Sequence, residues 1–352
     1  MLSVNFASKF RAECIFVDGR VSVWGKLMNC EQIVNEFIHK RQVSLTHCIT
    51  KNFCQGGVNT MSNSHASRHR RRLGHRLQVG ILIEHRYLYQ SQPNGLIQAL
   101  ARRGHQPQVI DPQTTLYRLD DNRWLQNLDL VVARGRSLGV LGLLAWLEQQ
   151  GIPTFNRHAG VMAVHNKANM SMALATASIP TPPTFFGAPE KLRQAPASFF
   201  PLILKPIFGD NGQGLYLVED PKMVAQVSWP EPFLLAQHYL PNDGYDIKLY
   251  GIGDRAWAVR KPSPLHPSAE PPESLTLTQE MRDILARCRQ LFGLDLLGVD
   301  CIQGDEGLLV IEVNEFPTYS GVPDASDLLV DWLEQQAARI HREWLIPWEV
   351  NQ

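Results

Sequence analysis

The sequence predicts two architectures in succession: an open α/β layer, then an α+β region built on antiparallel sheets. Three observations carry this. Short apolar runs alternate with helical segments between residues 78 and 160, the pattern of a parallel sheet. After the proline-rich stop Ile179-Pro-Thr-Pro-Pro183 the pattern changes to pairs of strands. Composition is that of a globular enzyme-sized chain: 352 residues, 44% hydrophobic and 19% charged, with 34 Lys+Arg against 34 Asp+Glu. That length suits two or three domains, and zero net charge argues against binding nucleic acid through bulk electrostatics.

In the first architecture, Val79-Gly-Ile-Leu-Ile83 reads as a buried strand and Gly95–Arg103 as a helix stopped by Gly104. Strands are expected at Gln108–Asp111 and Leu128–Ala133, and a helix at Leu138–Gln150 ended by Gly151. No Gly-x-Gly-x-x-Gly follows the first strand, so a dinucleotide fold is not supported. A further helix spans about Asn166–Ala177. Strands then follow at 201–206, 215–218, 233–240, 246–253, 256–261, 296–302 and 308–314, with helices at 221–227, 278–292 and 325–342.

Residues 1–76 differ from the rest and read as an extension. Four of the six cysteines fall there, and Cys14–Trp24 reads as a hairpin turning on Asp18-Gly19. The basic run Arg68–Arg76 reads as a solvated linker, with an anionic contact as the alternative. Met61 is a candidate start. No apolar run reaches the roughly 18–20 residues that a membrane helix needs. The N-terminus lacks a secretory apolar core, and the cysteines match no zinc or disulfide pattern. Reduced thiols in a cytoplasmic protein are expected.

The chemistry-bearing residues fall in four places. Gly298-Val-Asp300 and Glu312-Val-Asn314 flank a predicted hairpin. If it closes with a three-residue loop, Asp305-Glu306-Gly307, then Gly304 faces Leu308 and Asp300 faces Glu312, with Asn314 on the same face. This fits a hard divalent cation or an exposed polar face. Second, the strand Leu202–Lys205 delivers a lysine to a loop bearing Gly209, Gly212 and Gly214. Glycine lets amides approach phosphate oxygens, although an ordinary hairpin loop reads the same way. Third, Lys167 opens a helix, where it is either functional or a solvated first-turn lysine. Fourth, the strand ending Gln237-His-Tyr-Leu240 precedes Asp246 and Lys248, which share one face of the next strand. Its polar turn could offer backbone groups to an adenine edge, or be an edge hairpin. Arg134 and Arg136, at the end of a parallel strand, could grip a substrate carboxylate or be solvated.

This ordered set resembles the ATP-grasp superfamily over about residues 79–341, and its spacing is similar to RimK-like glutamate ligases. The resemblance implies an N-terminal open α/β (pre-ATP-grasp) domain at 77–160 and two α+β subdomains, 161–240 and 241–345, clasping ATP. It implies Lys167 and Lys205 on the ATP phosphates, Gly209–Gly214 as a mobile loop above them, and Gln237, His238 and Tyr239 at the adenine. Asp246 is implied as an ATP contact. Asp300, Glu312 and Asn314 are implied as ligands of Mg2+, with Mn2+ as the alternative ion. Lys248, where the ligases usually carry arginine, is implied with Arg260 and Lys261 to steady an acyl phosphate. The implied reaction joins a small-molecule or peptidic carboxylate to an amine such as glutamate.

There are departures. His238 replaces a usual acid, and Thr318 stands where glycine is common. The ligases' Arg/Ser/Asn segment is here the proline-rich Lys261–Pro272. There, and in Asn314–Val322, the chain is similar to ATP-grasp inositol-polyphosphate kinases. A small-molecule kinase and a non-catalytic ATP-binding regulatory module are therefore carried as alternatives, with oligomeric state open.

Overall fold

The computed structural model describes residues 13–17, 20–24, 76–209 and 214–343. The chain divides into two compact units, Met1–Ser64 and His65–Gln352. In the first, strands β1 (Glu13–Val17) and β2 (Arg20–Trp24) pair antiparallel with Val17 opposite Arg20. This is the pairing expected about Asp18-Gly19, which themselves lie outside the described residues, as do Met61 and Arg68–His75. Everything below concerns the second unit.

The near-continuous apolar run at 79–83 forms β3 (Gln78–Ile83), central in a parallel sheet of order β4-β3-β5-β6. Such runs suit strands covered on both faces. Its partners are β4 (Gln106–Ile110), β5 (Leu130–Arg134) and the short β6 (Thr154–Phe155). Helices α1 (Ser91–Arg102) and α2 (Leu138–Gln149) pack beside it. Leu141, Leu144 and Leu147 of α2 meet Leu82 and Val131 in one apolar cluster. Ser137 caps α2, accepting from the Val140 amide.

Helix α3 (His158–His165) has no counterpart among the expected elements. It is short and interrupted by Gly160, a weak helix former. A Cβ there would lie 2.8 Å from the Phe292 carbonyl oxygen, so that glycine serves close packing. Helix α4 (Lys167–Thr176) follows at once, its N-terminus capped by Asn166, whose side chain accepts from Ala168 and Asn169 amides at 2.9 and 3.1 Å.

A four-stranded antiparallel sheet, β7-β10-β8-β9, comprises β7 (Thr184–Gly187), β8 (Leu202–Lys205), β9 (Tyr216–Val218) and β10 (Leu234–His238). The helix expected at 221–227 is only a 3-10 turn, Met223–Gln226. A segment this short, begun by Pro221 and followed by Trp229-Pro230, gains too few bonds to propagate. A five-stranded sheet, β13-β12-β11-β14-β15, is formed by β11 (Tyr245–Ile252), β12 (Arg255–Pro262), β13 (Glu273–Leu275), β14 (Leu296–Gly304) and β15 (Gly307–Glu315). Helix α5 (Gln279–Phe292) covers one face, through Met281, Ile284 and Leu285 against Leu249, Val299 and Val313. On the other, Tyr250, Phe316 and Tyr319 join a core that includes α6 (Ala325–Glu343), α1 and β3. That shared core packs the parallel layer against the five-stranded sheet.

Candidate active site

The hairpin β14–β15 brings Asp300 opposite Glu312 and Asn314 opposite Gly298, placing all three oxygen-bearing side chains on one face. The expected pairing is observed, but by a different route. The turn has two residues, not three, since Gly304 pairs with Gly307, which takes φ 134°. Continued without interruption, that register would oppose Asp300 to Ile311. A bulge between the Asp300 and Cys301 pairings absorbs Ile311 and restores Glu312 to the ligand face.

Each of these three side chains meets a cation. Lys248 Nζ donates to Asp300 Oδ2 at 2.8 Å and lies 3.7 Å from Asp246 Oδ2. Lys167 Nζ donates to Glu312 Oε1. Arg136 Nη2 donates to Asn314 Oδ1 at 3.1 Å. Burial would push the Glu312 carboxyl up, but Lys167, with Arg136 and Lys205, pulls it below its ordinary range. Burial acts the other way on Lys248, and Asp300 and Asp246 overcome it to raise that ammonium. Asp246 is itself buried, which lifts its carboxyl, against the pull of Lys248. Two facing carboxylates with an amide beside them suit a small hard cation with few protein ligands. Among the described residues no group of three or more His, Cys, Asp or Glu side chains could hold a metal, so the amide is integral to this set.

Lys205 ends β8 with Nζ 2.6 Å from Gln237 Oε1 and 3.5 Å from the carbonyl oxygen of the bulged Ile311. Burial draws its ammonium down to about 8, partly offset by Glu312. Gly209 lies just beyond, and Gly214 adopts φ 74°; Gly212 lies outside the described residues. The cleft next to Lys205 is walled by Ile203, Ile302 and Ile311 and edged by residues 237–240, Asp246, Ser263 and Leu265. Apolar walls with a polar rim suit a heterocycle.

Residues 164–331 match the family model described as RimK-like ATP-grasp domain. Over that stretch, just under half of the chain, the sequence is similar to a RimK-like ATP-grasp domain. A probable alpha-L-glutamate ligase of Maridesulfovibrio salexigens is 25% identical over 293 residues, spanning 74% of this chain and 96% of the relative. The solved RimK domain ATP-grasp protein of Sphaerobacter thermophilus superposes with TM-score 0.61 at 20% identity, covering 72% of this chain and 98% of that one. The ATP-grasp ligase PsnB, solved with a minimal precursor, Mg and ADP, gives TM-score 0.57 at 19% identity, with coverage of 74% and 97%.

Within this fold the expected site residues separate into two groups. Lys167, Lys205, Asp246, Lys248, Asp300, Glu312 and Asn314 converge. Lys261 joins them, since it pairs with Asp246 across β11–β12 and so shares its face; burial, then Lys248, depresses its ammonium. Arg260 does not. It pairs with Ile247, on the opposite face, where it donates to Asp243 at 2.7 Å and covers the Tyr245 ring at 3.5 Å. Strand alternation puts adjacent residues on opposite faces, so Arg260 and Lys261 cannot both serve the site.

The hinge lines the cleft where expected, with its side chains engaged within the protein. Gln237 spends its side chain on Lys205 and, through Nε2, on Thr184 Oγ1 at 3.0 Å. His238 donates its amide to the Pro183 carbonyl at 2.8 Å and engages the Phe199 carbonyl through Nδ1 at 2.7 Å. The Tyr239 amide donates to Pro201 at 2.9 Å. These residues build the cleft wall, and hinge carbonyls with the Leu240 amide are what it can offer a base. The proline-rich segment runs along the same cleft: Ser263 lines it with Asp246, and His266 Nε2 lies 3.2 Å from Tyr239 Oη.

Glu84, absent from the sequence reading, organises Arg136. This buried residue follows β3, and its Oε1 accepts from the Arg136 and Ser137 amides at 2.5 and 2.8 Å. Gly135 between the strand and those amides takes φ 126°, and a Cβ there would fall 2.6 Å from Glu84 Oε1. Arg136 is thereby aimed across the layer boundary at Asn314 and, at 3.4 Å, Glu315. Arg134 donates to the Phe316 carbonyl and, at 2.8 Å, to Gln90. An acid at the C-terminal end of a buried parallel strand was the available signal.

Proposed function

We propose that this chain is an ATP- and magnesium-dependent carboxylate–amine ligase. The observation that carries the reading is one sheet face bearing Asp300, Glu312 and Asn314, ringed by Lys248, Lys167 and Arg136. Magnesium held by those three oxygen ligands would draw charge from the ATP phosphates, and manganese is expected to substitute. Lys205 and Lys167 neutralise phosphate oxygens from the β8 and α4 sides. Gly209 and Gly214, which flank the loop after β8, let backbone amides approach the same oxygens. Arg136 orients the acceptor carboxylate for in-line attack. An acceptor oxygen bonds to the γ-phosphorus as its bond to ADP breaks. The resulting acyl phosphate is held by Lys248 and Lys261. An amine nitrogen then bonds to the acyl carbon, the bond to phosphate breaks, and the amine proton leaves to solvent. The protein's contribution is positioning and charge neutralisation.

The ligase names among the relatives favour this over hydroxyl phosphorylation or a non-catalytic role, and glutamate is the amine they suggest. No helix among the described residues is long and apolar enough to cross a membrane, and we place the reaction in the cytoplasm, where ATP is supplied. Hydroxylamine added with ATP, magnesium and a carboxylate panel should trap an acyl hydroxamate with stoichiometric ADP. ADP release without hydroxamate, on hydroxyl acceptors, would replace the ligase by a kinase.

A further inference from the structure

Helix α3 ends at His165, one residue before the Asn166 cap and two before Lys167. Asn166 is extended there, so the side chains of His165 and Lys167 leave the chain on the same side. Lys167 reaches Glu312. The His165 ring packs on that of Phe208, the residue before Gly209, with centroids 4.9 Å apart and planes tilted by 37°. Its Nδ1 is buried without a hydrogen-bond partner among the described residues. By contrast, His85, His238 and His266 spend a ring nitrogen on Asp111, the Phe199 carbonyl and Tyr239, at 2.9, 2.7 and 3.2 Å. Buried polar atoms are ordinarily paired within the fold. An imidazole oriented by ring packing, with no such bond at Nδ1, is available for chemistry.

We infer that His165 is a further catalytic residue, the base that takes the proton of the attacking amine. The inference rests on the ligase reading. An acyl phosphate with its carboxyl end at Arg136 and its phosphoryl end at Lys167 has its acyl carbon between the two, beside this ring. As the amine nitrogen bonds to that carbon, the carbon–oxygen bond breaks and its electron pair leaves with phosphate. Nδ1 being enclosed, the nitrogen's proton passes to Nε2, and the imidazolium then yields it to solvent. Electrostatics agree with this role. Burial, then the Arg136 guanidinium, holds the imidazole below its ordinary range, with Glu84 pulling the other way. The ring is therefore neutral at pH 7 and offers a lone pair, while Glu84 favours the imidazolium once the proton arrives.

The test exploits two nucleophiles. An amino-acid amine is largely protonated at neutral pH and needs a base, whereas hydroxylamine is largely unprotonated and does not. The full chain is compared with His165→Gln, which keeps a side chain of similar reach, and with His165→Ala. Each receives ATP, magnesium and the carboxylates that give hydroxamate in wild type, with either hydroxylamine or an amino acid, glutamate first. Both variants should form hydroxamate within about twofold of the wild-type rate and amide about 100-fold more slowly, with the KM for ATP unchanged. Added imidazole should restore part of the amide rate to His165→Ala. Equal losses with both nucleophiles would overturn the inference and make His165 a packing or phosphoryl-transfer residue, and an unchanged amide rate would overturn it outright. So would hydroxamate in wild type with no amide from any amino acid. Absence of hydroxamate with every carboxylate would instead remove the ligase reading, and this one with it.

Discussion

Replacing Glu84 with alanine separates the scaffold of the site from its chemistry. Two backbone amides, Arg136 and Ser137, donate to Glu84 Oε1, and the side chain is 7% exposed. Each buried donor left without an acceptor costs about 1–3 kcal/mol. Water entering the vacated space recovers part of this, so a net loss of about 2–3 kcal/mol is expected. For a domain of this size each kcal/mol lowers Tm by roughly 2–4 °C, giving a fall of about 5–10 °C by calorimetry. The functional effect is separate. Arg136 loses its aim at Asn314, so the magnesium dependence of turnover should shift and acceptor KM should rise, while ATP affinity changes little. Glu84→Gln retains an acceptor oxygen and should keep most of the stability. A Tm within about 1 °C of wild type for Glu84→Ala, with unchanged magnesium dependence, would refute the reasoning.

Glu312→Gln and Asn314→Ala should each abolish turnover at moderate magnesium with near-normal circular dichroism and Tm, because neither side chain belongs to an apolar cluster; near-normal activity would remove them from the metal site. Lys205, drawn down to about 8 by burial, is charged below that pH and neutral above it. The kcat/KM for ATP should therefore fall as pH rises through about 8 in the free enzyme, and Lys205→Met should be slow at every pH. Arg260→Ala should change kcat less than twofold, since its face is turned from the site, whereas Lys261→Ala should lower kcat/KM by about tenfold or more; steady-state kinetics of the pair decide the point.

Much of the fold is legible in the sequence because strand and helix periods there are strong and well punctuated. Val79–Ile83 could hardly be anything but a buried strand, and Asn166, Ser137 and Thr278 cap helices where local rules place them. What escapes is set by tertiary contact. Helix α3 survives around Gly160 because α5 packs against it. The shared face of candidate residues that follow strand alternation is legible: Asp300, Glu312 and Asn314, or Asp246 and Lys248. The resemblance implies Arg260 together with Lys261 despite that same rule, and pairing with Ile247 shows why only one of them faces inward. Gln237 and His238 occupy the expected place, yet hydrogen bonds to Lys205, Thr184 and Phe199 commit their side chains elsewhere. Long-range partners of that kind leave no local trace. Glu84 is the same case, 52 residues from the Arg136 amide that it holds.

The bulge at Ile311 makes turn length and ligand phase two independently adjustable settings of one hairpin. Losing the bulge with every residue kept, so that Ile311 paired with Asp300, would turn Glu312 out of phase and drive a carboxylate into the apolar layer around Val299 while the turn stayed intact. Deleting Ile311 would leave Cys301 against Val310 and Asp300 against Glu312 in a regular ladder, keeping phase but removing the carbonyl that faces Lys205 and one apolar wall of the cleft. With phase held at the bulge, the surface-exposed tip can take other sequences without moving the candidate metal ligands Asp300, Glu312 and Asn314, which makes it the natural place to insert a tag or reporter while keeping activity.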